Sequence, residues 1–590
     1  MIFRFSRILD SLDYMSLLPF GKLDPFKPRE FVPSDVDLGQ WSQIEPLFDQ
    51  LEQRLSDASD VAALEQWILD TGELSAALAQ ESTIRYIAMS CHTDDTDAEK
   101  AYLHFLVEIE PQLKSRQFRL QKAFLNHPSR SELPRKRYFV YDRDIVQSVE
   151  LFREENVPLE TEESKQSQQY QKNLSALTVE FRGEERTVMQ MARFLEEPDR
   201  VVRQEAWELT AKRSLQEKEE FEDIFDNLIR LRQEIAANAG FRNFRDYAFK
   251  LRRRFDYTPE DCEAFHDAVE GEFVPLLKDL QAKRKEQLGL ETMRPWDMSV
   301  DPLNQVPLRP FETVNELLDG AQKIFDKVDE ELGEYFRLMR ERKTLDLESR
   351  KRKRPGGYQS TLSEARMPFI FMNAVGMQRD VSTLLHEAGH AFHVLAARGE
   401  DIYKYRQVPI EFCEVASMAM ELLGGDYLDA FYGEADAKRA QIRNLQSIVA
   451  ILPVVARIDA FQHWVYTHKN HTQKQRGNAW IRIAKRFGGD VSWDGCEGVR
   501  RFAWHRMLHI FSYPFYGVEY GIAQLGAMQV WANSRKDRVD AVGRYRDALA
   551  LGGSRPLPEL FEAAGCKFDF SADTVRPLVQ MLRDELAALE

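Results

Sequence analysis

The run His386-Glu387-Ala388-Gly389-His390 sets two imidazoles four residues apart, with a carboxylate directly after the first. On a helix, residues i and i+4 project from one side, one turn apart, so His386 and His390 can hold a single ion together. Glu387 is rotated about 100° from His386 on such a helix and cannot easily join the pair; it is placed instead to reach a water molecule beside the ion. The flanking sequence suits a helix. Asp380 can cap a start at Val381, Gly399 can end it, and Val381, Leu384, Leu385, Ala388, Phe392 and Leu395 form one apolar stripe.

A catalytic zinc ion takes three protein ligands and keeps one position for water. His393 would carry the pair away from the ion, and the position six beyond His390 is Ala396 rather than a histidine. The third ligand is therefore expected from another segment. IEFCEVASMAMELL (410–423) has a helical pattern and offers Glu411, Glu414 and Glu421. A reversed helix beside the first would bring one of these carboxylates to the ion. Asp380 and Glu421 are candidates to orient the histidines, because a metal-binding imidazole donates its other N–H to a carboxylate or carbonyl. Asp380 is expected chiefly as a cap, His393 as a satisfied helix histidine, and Cys413 as core.

Other segments must position these groups. Residues 1–40 carry Pro19, Pro25, Pro28 and Pro33 and are expected to form an irregular lead-in. Residues 41–310 are expected to form a mostly helical lobe. DNLIRLRQEIAANAG (226–240) shows the pattern, with Leu228, Leu231, Ile235 and Ala236 on one face and Gly240 as the stop. The proline-rich stretch 291–310 reads as a connection, and 311–590 as the catalytic region with C-terminal helices. MPFIFMNAVG (367–376) is expected to be a strand, with Pro368 marking an edge or a strand start. As an edge, 369–374 could pair with an extended peptide. PGGY (355–358) reads as a turn, and the basic runs at 134–137, 252–254 and 351–354 read as solvated faces.

Of 590 residues, 43% are hydrophobic and 30% charged, enough for a large core. The formal net charge of −16 argues against a nucleic-acid partner. The five cysteines form no CxxC, so neither disulfides nor sulfur ligation of a metal is expected, and a reducing, cytoplasmic setting is. The apolar run Ile448–Ala456 is too short to span a bilayer, and Asp10 and Asp13 interrupt the N-terminal apolar stretch, so neither a membrane span nor a signal peptide is expected.

HEAGHAFH (386–393) followed by FCEVASMAMELL (412–423) resembles the oligoendopeptidase F branch of the thimet oligopeptidase family of zinc metallopeptidases. That family places its ligand glutamate in a segment F-x-E-x-P-S. Glu414 and Ser417 match the glutamate and the serine, and Ala416 stands where the family has proline. Segments at 238–249, 252–261, 294–298, 368–390 and 509–527 are similar to further parts of the family, so the likeness runs from about 180 to 570. The resemblance implies a mainly α fold of two helical lobes around a deep substrate channel, with the small β element beside the HExxH helix. It implies one zinc ion per chain, held by His386, His390 and Glu414, with Glu387 as the catalytic base. It also implies cleavage of internal bonds in short peptides. A zinc carboxypeptidase or dipeptidyl carboxypeptidase is the alternative on a similar fold, and a helical scaffold with a structural zinc is the remote one. The segment HIFSYPFYGVEY (509–520) resembles the family's tyrosine-rich motif, which favours Tyr520 and His509, then Tyr516, as donors to the developing oxyanion.

Overall fold

Apolar residues recur at helical spacing along most of the chain, and helices form there; among the described residues strands are confined to a two-stranded hairpin and one three-stranded sheet. The structure is a computed structural model that describes residues 14–590. Much of the segment read for a signal sequence, and the first part of the expected lead-in, lie outside the described residues. From 14 to 40 a 3-10 turn at Tyr14–Leu17 is the regular element. The fold is mainly α, as expected. The described chain divides into two compact units, each made of three segments. One passage between the units lies at Pro307–Leu308, and each unit draws on segments from both sides of that point.

The first unit comprises residues up to Val149, Leu308–Gln441 and Gly526–Phe568. Its opening helices show how the sequence builds them. In Trp41–Asp57, residues Ile44, Leu47, Phe48, Leu51 and Leu55 fall on one buried face. Asp60 caps Val61–Cys91 by accepting the Ala63 N–H at 2.9 Å. Trp67 then stacks on Phe124, with ring centroids 5.8 Å apart, and donates its indole N–H to the Leu51 carbonyl at 2.9 Å.

The three-stranded sheet of this unit sets Met367–Ala374 between Leu345–Glu348, which runs parallel to it, and Tyr358–Leu362, which runs antiparallel. The apolar run 367–374 is thus the central strand, not an edge. Its residues are buried on both faces, which is why it reads as a continuous apolar stretch rather than an alternation. Pro368 is tolerated there because of the register. Ile370 donates its N–H to Thr344, so the nitrogen of residue 368 faces the same side, short of where pairing with Leu345 begins. The edges are Leu345–Glu348 and Tyr358–Leu362, the latter entered through a turn in which Gly356 has φ +104° and its carbonyl accepts from the Asn373 side chain at 2.9 Å.

Two of the basic runs are not wholly solvated. The Lys353 ammonium is buried and donates to the carbonyls of Asp346, Glu348 and Met372 and to the Asp346 carboxylate, tying the strand ends together. Arg254 is buried in the second unit, where it donates to the Phe515 carbonyl and, at 2.7 Å, to Glu519. Charge runs expected on the surface turn inward at these single residues because each finds several oxygen acceptors.

The second unit comprises Glu150–Pro307, Ile442–Leu525 and Asp569–Glu590. Lys218–Asn238 buries Leu228, Leu231, Ile235 and Ala236 as the sequence pattern requires, and Gly240 follows with φ +86°. The connection 291–310 is irregular except for a turn at Pro295–Asp297, where Arg200 and Arg203 hold the buried Asp297 carboxylate. The helix Glu434–Thr467 has an 18-residue window with mean hydropathy 1.4, long and apolar enough to cross a membrane by composition alone; 61% of that window is buried, as in a core helix.

Gly389 fixes the distance between two helices of the first unit. A Cβ there would lie 2.5 Å from the Ala416 carbonyl oxygen and 2.6 Å from the Ser417 Cα, both backbone atoms. Gly389→Ala should therefore lower stability by about 1–3 kcal/mol through forced separation of the helices. Chemical denaturation checks this, and an unchanged midpoint would contradict the tight contact.

Candidate metal centre and active site

The central strand ends at Ala374, and the HExxH helix begins at Gln378, three residues earlier than the expected Val381. Asp380 is the reason. Its carboxylate accepts the N–H groups of Val375 at 2.8 Å and Met377 at 2.9 Å, acting from inside the first turn. It locks the strand-to-helix turn, and these contacts are to backbone rather than to a histidine. The helix runs to Ala396 and continues as a 3-10 turn, Ala397–Gly399.

The helix Ile410–Gly425 lies antiparallel to it. His386 faces Glu421, Gly389 faces Ala416 and Ser417, and His390 faces Cys413 and Glu414. Tyr545, from the third segment of the unit, donates at 2.7 Å to the Ala416 carbonyl, the same oxygen that faces Gly389. The ligand atoms of His386, His390 and Glu414 all lie within 4.8 Å of one another. His386 Nε2 is 3.5 Å and His390 Nε2 3.7 Å from Glu414 Oε2. Of the three carboxylates left open by sequence, Glu414 is the one in this group; Glu411 is buried outside it.

The remaining donors are held from behind. Glu421 Oε1 is 2.7 Å from His386 Nδ1, which leaves Nε2 turned toward Glu414. His390 Nδ1 meets the Cys413 carbonyl and lies 3.3 Å from its sulfur. Cys413, expected simply as core, thus touches a histidine of the cluster, because the helices pass too closely for the residue before Glu414 to escape the interface. Ser417 donates to Glu414 Oε2 at 3.0 Å. His393 is buried, but neither ring nitrogen has a protein hydrogen-bond partner, so it is not the satisfied histidine expected. Burial holds it neutral, with its pKa lowered to about 3, and its ring packs edge-on against Phe412.

Glu387 is 9% exposed and accepts the backbone N–H of Gln359 from the edge strand. Residues 359 and 370 form a non-hydrogen-bonded pair, since Ile370 donates to Thr344, so the Gln359 N–H and C=O both face outward. Burial pushes the Glu387 carboxyl up to about 7, and the Glu414 charge adds to this. Burial opposes charging His386, but its hydrogen bond to Glu421 and the charges of Glu414 and Glu387 outweigh that and raise it to about 9. His390 goes the other way, down to about 3, through burial and the neighbouring His386. The cluster thus draws in one positive charge, and a divalent cation would displace the His386 proton. Two imidazoles and a carboxylate suit zinc, so the residues fit that ion.

His509, Tyr516 and Tyr520 lie in the second unit and form a cluster of their own. His509 stacks on Tyr516 with ring centroids 5.5 Å apart, and the Tyr520 hydroxyl donates to that of Tyr516 at 3.1 Å. The turn that carries Tyr516 is held by Phe515 at φ +60°, whose N–H goes to Gln462 at 2.7 Å and whose carbonyl accepts from Arg254. Burial lowers the pKa of His509, and the nearby Arg252 adds to this.

Residues 35–152 match the peptidase M3 N-terminal domain, and residues 193–579 match peptidase family M3. The chain belongs to peptidase family M3. Its relatives include the oligopeptidase PepF of Bacillus subtilis, 26% identical over 409 residues, which cover 67% of this chain and 58% of that protein. The oligoendopeptidase F homologue of Borreliella burgdorferi is 24% identical over 316 residues, or 51% of this chain and 52% of that protein. The chain thus spans a little over half the length of these relatives. The solved structure of PZ peptidase A with an inhibitor superimposes with a TM-score of 0.85 at 29% identity, covering 95% of this chain and 99% of that one.

Glu421→Ala removes the acceptor behind His386. Metal affinity should fall about 10–100-fold with the fold retained. Competition with a chromogenic chelator measures this, and unchanged affinity would mean that His386 needs no such support.

Proposed function

We propose that this chain is a zinc metalloendopeptidase that hydrolyses internal bonds of short peptides. The observation that carries the reading is the convergence of His386, His390 and Glu414 within 4.8 Å, with the buried Glu387 carboxylate next to them on the HExxH helix. In this reading His386, His390 and Glu414 hold one zinc ion, which supplies Lewis-acid polarisation of water and of the scissile carbonyl. Glu387 accepts the proton of the attacking water and delivers it to the departing amine nitrogen. Its burial suits the task, because a carboxylate with raised proton affinity both takes and returns a proton near neutral pH. Glu421 and the Cys413 carbonyl keep the histidines in one orientation through the cycle. Tyr516, Tyr520 and His509 supply hydrogen-bond donors to the oxyanion. The peptide lies along the edge strand Tyr358–Leu362, whose outward backbone groups pair with it irrespective of its side chains. The limit to short peptides rests on the family resemblance.

Glu387→Gln is nearly isosteric but cannot take a proton. It should keep its zinc and its melting temperature and lose nearly all turnover of a blocked peptide of about ten residues. Activity within tenfold of the unaltered protein would remove Glu387 from the base role.

Tyr516→Phe and Tyr520→Phe should lower kcat, by up to about a hundredfold for the residue that donates, with KM little changed. Steady-state kinetics on the same peptide checks this. If neither change moves kcat, or if the loss follows a fall in melting temperature, the tyrosines are structural.

A further inference from the structure

The helix Pro259–Ala268 presents Cys262 and His266, and the helix Glu434–Thr467 presents Asp459 and His463. Each pair is spaced i, i+4, the spacing that aligns His386 and His390. All four residues lie in the second unit and all are buried: Cys262 and Asp459 are 0% exposed, His266 2% and His463 6%. The ligand atoms of Cys262, Asp459 and His463 fall within 4.8 Å of one another. His463 Nε2 is 3.3 Å from Asp459 Oδ2, and His266 Nε2 approaches the same oxygen at 2.9 Å.

The hydrogen bonding of this cluster is incomplete. Asp459 Oδ1 and His463 Nδ1 have no hydrogen-bond partner, and His463 Nε2 has only its 3.3 Å approach to Asp459 Oδ2. The rings of Phe249, Phe515 and Phe487 lie around the two histidines. A buried carboxylate oxygen and a buried imidazole nitrogen left unsatisfied in such surroundings are costly, and native proteins leave few of them without a bound partner.

We propose that Cys262, Asp459 and His463 form a second metal site of the zinc class, with His266 holding the Asp459 carboxylate. The site is distinct from the HExxH cluster. A thiolate, a carboxylate and an imidazole suit zinc rather than calcium or magnesium, which take oxygen ligands. Zinc bonds of roughly 2.0–2.3 Å hold ligand atoms roughly 3–4 Å apart, so small side-chain adjustments close the cluster. The two negative ligands balance a divalent ion. The nearby Arg254 adds little net charge, because it pairs with Glu519 at 2.7 Å. Burial and the Asp459 charge push the Cys262 thiol well above its ordinary range, so ligation releases a proton there. Lacking solvent access, the site is structural: it clips two helices that are far apart in sequence. The family resemblance implies one zinc ion per chain, at the HExxH cluster, and this proposal adds a second.

Expression in minimal medium with cobalt as the metal source tests this. The full-length protein should carry two cobalt ions per chain and show thiolate-to-cobalt charge-transfer absorption in the near ultraviolet. The HExxH cluster has no sulfur ligand. The absorption should therefore persist in His390→Ala and in Cys413→Ser. It should disappear in Cys262→Ser, with the loss of one metal equivalent, and in His463→Gln. A single cobalt ion per chain or no such absorption in the unaltered protein overturns the proposal, as does its persistence in Cys262→Ser. If the Cys262 and His463 variants do not fold, the unaltered protein and Cys413→Ser still decide: two ions and the absorption in both support the site, and anything less overturns it.

Discussion

The close crossing of the helices Gln378–Ala396 and Ile410–Gly425 governs the rest of the site. At Gly389 the two backbones meet with no room for a methyl group. That distance puts Glu414 within reach of both histidines and brings Glu421 against His386. A wider spacing would leave each of these side chains pointing at solvent or at apolar core. The surrounding unit serves this crossing. Tyr545 holds the Ala416 carbonyl at the crossing, Asp380 sets the entry angle from the strand, and the sheet ends are tied by the buried Lys353.

Electrostatics follow from the same geometry. Crowding Glu387, Glu414 and Glu421 around two imidazoles in a partly buried volume makes the site hungry for positive charge. The two histidines respond in opposite senses. His386, hydrogen-bonded to Glu421, binds a proton readily, and His390, more enclosed and beside a charged neighbour, resists one. A cation with two units of charge answers the carboxylates without demanding that both rings be protonated.

Local patterns made much of this legible in advance. The HExxH spacing, the apolar stripe and the antiparallel partner helix all depend on periodicity within single segments, and periodicity survives folding. The edge assigned to 369–374 did not survive, because Pro368 reads as an edge signal only until the register shows that its nitrogen faces an unpaired end. Charge runs misled for a similar reason: Lys353 and Arg254 are buried by acceptors that come from distant segments. The helix start moved because Asp380 caps from the third position of the turn. The Cys413 contact was not legible, because the sequence does not say how closely Gly389 lets the two helices approach. The pairs Cys262–His266 and Asp459–His463 were visible as i, i+4 spacings, but thiolate ligation was sought only in CxxC form, and nothing in sequence says that two such pairs face each other.

The bond from the Gln359 N–H to Glu387 has a consequence for how a peptide would be read. Along the edge strand only alternate residues, Gln359 and Thr361, turn their backbone outward, and the first of these donors is already taken by the carboxylate. A chain that pairs with this edge loses one donor rung there, beside the reacting group, while the Gln359 carbonyl still faces outward. In the proposed reading, a peptide on this edge finds one backbone donor already engaged by the reacting carboxylate, so its place along the backbone is set beside Glu387 with no side chain involved.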